Sequence, residues 1–118
     1  MKNRPIRERF SFAFDGLCFV WRTERSFRTE CGFAAAAAVA LVVLRPGWQW
    51  AALIVVCAMV VMALELVNSS LEYLIDHVHP DIATAIKHAK DAAAAAVLVA
   101  STGAVLVAAL MLASVVWG

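Results

Sequence analysis

Apolar residues near the start of the chain recur every three or four positions, at Phe10, Phe14, Leu17 and Trp21. This spacing places the four side chains on one face of a helix, with arginines at other positions, which is the pattern of an amphipathic helix. The basic face suits anionic lipid headgroups, so we predict a helix on a membrane surface within residues 1–28. The alternative is an exposed helix that packs on a soluble core.

Three long apolar segments follow, and we predict that each crosses a membrane as a helix. The first covers residues 29–44 and ends at Arg45-Pro46-Gly47, which breaks the helix in a tight turn. The second covers residues 48–75 and is followed by a loop over residues 77–82. The third covers residues 84–117, which is long enough to cross a bilayer with a tilt.

The composition supports a membrane location. Of the 118 residues, 64% are hydrophobic and 16% are charged, whereas soluble domains are typically about 45–50% apolar and about 25% charged. A net charge of +1 argues against nucleic acid as a partner. We therefore predict an all-α membrane protein with one membrane-embedded domain over residues 1–118, built from a surface helix and three transmembrane helices.

The basic residues indicate the orientation of these helices. Seven of the ten Lys and Arg residues lie within the first 30 positions, and Lys87 and Lys90 precede the last apolar segment. The turn between the first two apolar segments carries only Arg45. By the positive-inside rule, the N-terminus and residues 76–91 lie in the cytoplasm and the C-terminus lies outside.

The second apolar segment is interrupted by four polar residues, Glu65, Asn68, Glu72 and Asp76. At about 100° per residue they fall within a sector of about 80°, so they project from one face of the helix. An ionised carboxylate beside a long apolar run is costly in lipid and marks a candidate functional site. The alternative is that these residues simply end the helix in the cytoplasm.

Further ionisable residues fall at the same predicted membrane depth: Glu24 and Glu30 on the first segment and Lys90-Asp91 before the third. Clustered carboxylates take up protons or bind a divalent cation, and Mg²⁺ prefers one or two carboxylates with phosphate oxygens. A carboxylate can also act as a general base toward a hydroxyl. Phosphoryl transfer to a membrane alcohol and a proton or cation pathway both fit this set. P-loop and protein-kinase motifs are absent from the sequence.

The polar face resembles the signature of the small prokaryotic diacylglycerol kinase family. That signature has Glu, Asn, Ser or Thr, Glu and Asp at fixed helical spacing, and then Ala-Lys-Asp about 15 residues later. The matching residues here are Glu65, Asn68, Ser69, Glu72, Asp76 and Ala89-Lys90-Asp91. A second stretch, from Gly16 through Trp21 and Glu24 to Glu30, also resembles the family.

The resemblance implies a homotrimeric enzyme of the bacterial inner membrane, with composite active sites between subunits. Such enzymes transfer the γ-phosphate of MgATP to a lipid hydroxyl at the cytoplasmic face. By resemblance, Glu65 is the general base, and Glu24 and Glu72 bind Mg²⁺. Asn68 orients the reacting groups, and Lys90 stabilises the transferring charge. The resemblance assigns the nucleotide phosphates to Asn68, Asp76, Lys90 and Asp91, and the lipid to Arg28, Glu30 and Glu65.

The acceptor lipid and the class of function have alternatives. Residues 27–30 resemble the diacylglycerol branch of the family, which favours phosphatidic acid as the product. Residues 23–26 and 90–94 resemble the undecaprenol kinase branch. A non-enzymatic oligomer that conducts protons or cations, and a structural membrane subunit, are the alternatives of another class. Three helices cannot shield a polar face from lipid, so we predict self-association; the number three comes from the resemblance.

Overall fold

The computed structural model describes residues 3–79 and 83–118, and within these ranges all regular structure is α-helical. Three of the four helices, α2 to α4, are long and apolar enough to cross a membrane. The predicted all-α architecture with three candidate spans is therefore confirmed. The helices are α1 (Ile6–Thr23), α2 (Arg25–Leu44), α3 (Trp48–Val78) and α4 (Thr84–Trp117).

A single extended residue separates α1 from α2. Glu24 has φ −117° and ψ 108°, and helical conformation resumes at Arg25. The structure thus begins α2 before residue 29, where the sequence predicted the first span to begin. Ser26 and Arg28 consequently belong to α2 and not to the surface segment, which matters for the site.

The turn between α2 and α3 is built from the predicted helix-breaking residues. Arg45 adopts the left-handed conformation, with φ 47° and ψ 60°, and its N–H donates to the carbonyl oxygen of Leu41 at 3.1 Å. Gly47 has φ 111° and ψ 157°, a conformation that side-chain-bearing residues rarely adopt. Three residues therefore suffice to return the chain alongside α2.

Helix α3 continues through Val78, so the predicted loop is wrong at His77 and Val78, which are helical. The physical reason is that Pro80 disfavours helical conformation mainly at the residue before it, which is His79, where α3 ends. The remainder of the predicted loop, residues 80–82, lies outside the described residues.

Helix α3 is the centre of the packing, since it contacts each of the other three helices. Its contact with α4 is the most extensive and its contact with α2 is second. Toward α1, the rings of Phe19 and Tyr73 pack edge to face with their centroids 5.1 Å apart. Phe19 lies about 180° around α1 from Phe10, so the apolar stripe of α1 faces away from α3 and is exposed. Its placement on a membrane surface stays a prediction.

The buried interior combines apolar and polar side chains. Most apolar residues of α2 to α4 are exposed within the single chain, as expected for surfaces that face lipid or other subunits. The buried apolar side chains of the described residues are Val20, Phe27, Ile54, Val61 and Met111, and the buried polar ones are Glu65, Asn68 and Ser69.

The small apolar interior makes each buried aromatic residue important for stability. Phe27 is 3% exposed, and we expect Phe27→Ala to lower the free energy of unfolding by about 3 kcal/mol because it opens a cavity. Phe10 is 70% exposed, and Phe10→Ala should change that free energy by less than about 0.5 kcal/mol. Denaturant titration in mild detergent micelles measures both. Equal losses in the two variants would contradict this assignment of the interior.

Candidate active site

The polar face of α3 changes from buried to exposed along the helix. Glu65 is 5% exposed and Asn68 is 9% exposed, whereas Glu72 is partly buried and Asp76 is exposed. The four residues predicted to share one face therefore occupy one continuous stripe. Its Glu65 end lies within the chain, and its Asp76 end is accessible.

Two side chains of α2 reach the buried end of this stripe. The Ser26 hydroxyl donates a hydrogen bond from Oγ to Oε1 of Glu65 at 2.7 Å. The Glu30 carboxyl group lies close enough to Glu65 to interact with it electrostatically. The structure thus brings together Glu30 and Glu65, which the family resemblance placed at the lipid site.

Ser26 is a contact that the sequence reasoning missed as a site residue. Ser26 and Glu30 are four residues apart, which places them on the same face of a helix that contains both. That signal was present in the sequence. The predicted boundary at residue 28 put Ser26 and Glu30 in different helices. The signal becomes usable only when α2 begins at Arg25, as it does in the structure.

Asn68 carries a buried acceptor with no partner. Its Oδ1 has no hydrogen bond to any of the residues that the structure describes. Leaving such a group unpaired costs about 1–3 kcal/mol, and native proteins usually satisfy it with water or a ligand. Within the described ranges, Oε2 of Glu30 is the other buried side-chain atom that has no hydrogen-bond partner. The buried part of the site therefore offers two unpaired oxygens.

At the exposed end, an ion pair joins α3 to α4. Lys90 donates from Nζ to Oδ1 of Asp76 at 2.7 Å, and Glu72 is close enough to interact electrostatically with the same ammonium group. One turn before Lys90, Lys87 pairs with Asp91 at 2.7 Å. The structure thus confirms that this end of α3 meets the start of α4. Both ion pairs are exposed, so they contribute little to folding stability.

Two further predicted residues, Glu24 and Arg28, lie at the junction of α1 and α2. The guanidinium of Arg28 donates to the backbone carbonyl oxygens of Trp21 and Arg22, which are among the last carbonyls of α1. Cations are favourable at this end of a helix. Arg28 thereby ties α2 to α1, and its predicted contact with lipid stays a prediction.

The two predicted metal ligands are the carboxylates of Glu24 and Glu72. Among the residues that the structure describes, no three His, Cys, Asp or Glu side chains are grouped to hold a metal ion. The side chains of Glu24 and Glu72 are partly buried, and their carboxylates accept no hydrogen bond from a described residue. Mg²⁺ uses one or two such carboxylates when phosphate oxygens and waters complete its coordination. Binding of Mg²⁺ by Glu24 and Glu72 stays a prediction.

A groove of about 670 Å³ opens between α2, α3 and α4. One end is polar and contains Ser26, which donates to Glu65, and Glu30, which lies near Glu65. The rest is lined by apolar and small side chains, including Phe33, Ile54 and Val105. An apolar cavity with a few polar groups at one end is typical of a ligand site.

Comparisons with known proteins agree with the motif and the fold. A family model described as prokaryotic diacylglycerol kinase matches residues 11–112. A protein of Synechocystis sp. named diacylglycerol kinase is 34% identical over 99 residues, which cover 83% of this chain and 57% of that protein. The chain thus spans less than two thirds of the length of this relative. The match over most of the chain confirms the resemblance, and the chain belongs to the prokaryotic diacylglycerol kinase family.

Proposed function

We propose that the protein is an ATP-dependent lipid kinase that phosphorylates diacylglycerol to phosphatidic acid at the cytoplasmic membrane face. The observation that carries this proposal is the buried Glu65 carboxylate, which accepts a hydrogen bond from Ser26 at the polar end of an apolar groove. A lipid alcohol placed in the groove would bury its chain among apolar side chains. Its hydroxyl would then lie beside the only buried carboxylate of the described chain.

In the proposed reaction, Glu65 accepts the proton of the lipid hydroxyl as the oxygen attacks the γ-phosphorus of ATP. The new bond joins the lipid oxygen to the γ-phosphorus, the bond from that phosphorus to the β,γ-bridging oxygen breaks, and ADP leaves. General-base catalysis of this kind contributes about 10²–10⁴-fold to a rate. Positioning and charge stabilisation supply most of the remainder in phosphoryl transfer.

MgATP would bind along the rest of the α3 stripe. Asn68, whose Oδ1 lacks a partner among the described residues, would orient the phosphates next to Glu65. Lys90 would exchange its contact with Asp76 for a phosphate oxygen and neutralise transferring charge. Glu24 and Glu72 would hold the Mg²⁺ that enters with ATP. Asp91 would support the nucleotide from α4.

Diacylglycerol is the primary proposed acceptor and undecaprenol the second. The name of the Synechocystis relative and the segment Phe27–Glu30 favour diacylglycerol. The segment Thr23–Ser26 favours undecaprenol. Both lipids present a hydroxyl on an apolar body, so the groove accommodates the chemistry of either.

The proposal includes a homotrimer in the bacterial inner membrane with a cytoplasmic N-terminus. The few buried apolar residues and the exposed end of the stripe support self-association, because a single chain leaves Asp76 and Asp91 uncovered. A neighbouring subunit would enclose the nucleotide there. The number of subunits comes from the family resemblance.

The first test is transfer of radiolabelled phosphate from ATP to diacylglycerol and to undecaprenol in detergent micelles. We expect the protein to label diacylglycerol, and Glu65→Gln to lower the rate by at least about 10²-fold because the proton acceptor is lost. Glu8→Gln, which changes an exposed carboxylate paired with Arg4 on α1, is the matched control and should keep the rate. No transfer to either lipid, or ion flux into liposomes without ATP, would contradict the proposal.

The second test separates the role of Lys90 in catalysis from its role in packing. Lys90→Met should lower kcat by about 10²-fold, because a positive charge aimed at the transferring phosphate is lost. The thermal midpoint should shift by less than about 5 °C, because the ion pair with Asp76 is exposed. Arg45→Met removes a cation from the distant α2–α3 turn and should leave kcat unchanged. A rate loss in Lys90→Met that merely follows unfolding would assign Lys90 a structural role.

A further inference from the structure

Ser26 makes a contact that has no part in the roles assigned above. It is the second residue of α2, and its Oγ donates a 2.7 Å hydrogen bond to Oε1 of Glu65 on α3. Glu30, one turn further along α2, is close enough to interact electrostatically with the same carboxyl group. One face of α2 therefore presents a hydroxyl and a carboxyl to Glu65.

The Ser26 hydroxyl connects two helices, whereas a serine near a helix start more commonly makes a local hydrogen bond. Serine near a helix start usually accepts a hydrogen bond from a free backbone N–H of the first turn. In α2 no side chain caps the helix start, and the Ser26 hydroxyl donates to a residue 39 positions away. Its single hydrogen is thus committed to Glu65.

We propose that Ser26 is a positioning residue that holds the Glu65 carboxylate in the orientation in which it accepts the proton of the acceptor hydroxyl. This inference rests on the proposed function, since it gives a role to a contact of the proposed base. A hydrogen bond to one carboxylate oxygen restricts rotation of the group about its terminal carbon–carbon bond. The glutamate side chain otherwise has several rotatable bonds, and its orientation determines whether the second oxygen can reach a hydroxyl bound beside Ser26 at the polar end of the groove.

The neighbouring carboxyl group makes this restraint necessary. Glu30 is close enough to Glu65 to interact with it electrostatically, and two neighbouring carboxylates repel each other when both are ionised. The hydrogen bond that Ser26 donates to Glu65 opposes that repulsion, because hydrogen bonds to an ionised acceptor are short and strong. Without the Ser26 hydroxyl, Glu65 would be restrained only by a group that it repels whenever both are ionised.

The test compares Ser26→Ala with Ser26→Thr in the phosphate-transfer assay. Loss of the hydroxyl should lower kcat about tenfold and change the KM for MgATP by less than about twofold, because the base is misplaced while the nucleotide contacts remain. Ser26→Thr keeps a hydroxyl at the same carbon and should restore at least about half of kcat. Ser70→Ala is the matched control, since among the described residues the Ser70 hydroxyl bonds only to the carbonyl oxygen of Val67 in its own helix.

A spectroscopic measurement accompanies the assay and needs neither substrate. The infrared carboxylate band of Glu65, assigned by its loss in Glu65→Gln, should shift in Ser26→Ala and stay in place in Ser70→Ala. If Ser26→Ala does not fold, Ser26→Cys replaces it, because a thiol is a weak donor of similar size.

The possible outcomes distinguish a failure of this inference from a failure of the proposed function. Phosphorylation of neither lipid by the unmodified protein would overturn the proposed function, and the role of Ser26 with it. Transfer by the unmodified protein together with an unchanged kcat in Ser26→Ala would overturn the inference alone. An equally slow Ser26→Thr, an equal loss in Ser70→Ala, or an unshifted carboxylate band would do the same.

Discussion

The burial of the Glu65 carboxylate is the constraint on which the rest of the structure depends. An ionisable group within apolar helices costs several kcal/mol unless it finds polar partners. The hydrogen-bond partner comes from α2, where Ser26 donates to Glu65, and Glu30 on the same helix lies nearby. Both side chains are in place only because α2 begins directly after the extended residue Glu24. A break of one residue in the backbone therefore decides whether the carboxylate is enclosed by protein or left facing lipid.

The groove follows from the central position of α3. Helices α2 and α4 each pack on α3, and the space of about 670 Å³ lies among the three helices. Lipid chains are as apolar as the helix surfaces, so no hydrophobic force closes such a space within a membrane. Small side chains along its walls, among them Ala34, Ala58 and Ala104, keep it wide. The arrangement that encloses Glu65 thus also leaves an apolar opening beside it.

Helical periodicity was sufficient to predict much of this arrangement. The shared face of the polar residues from Glu65 to Asp76 follows from about 100° per residue, and long apolar segments marked the three candidate spans. The sequence also placed Lys90 and Asp76 at a similar depth, and the structure pairs them at 2.7 Å. The contact of Ser26 could not be predicted in this way. It depends on where α2 begins, and the break at Glu24 contains neither glycine nor proline to signal it.

The polar stripe of α3 changes from buried to exposed along the helix. This change explains how one helix face can serve an apolar and a charged substrate in the proposed function. Asp76 lies eleven positions after Glu65, which is about 16 Å along a helix. A lipid hydroxyl must be met inside an apolar groove, whereas a nucleotide arrives from water and carries several charges. The buried end of the stripe suits the first requirement and its exposed, ion-paired end suits the second. Asn68 lies one turn from Glu65, between these two environments, and its Oδ1 accepts no hydrogen bond from a described residue, which suits the orienting role proposed for it.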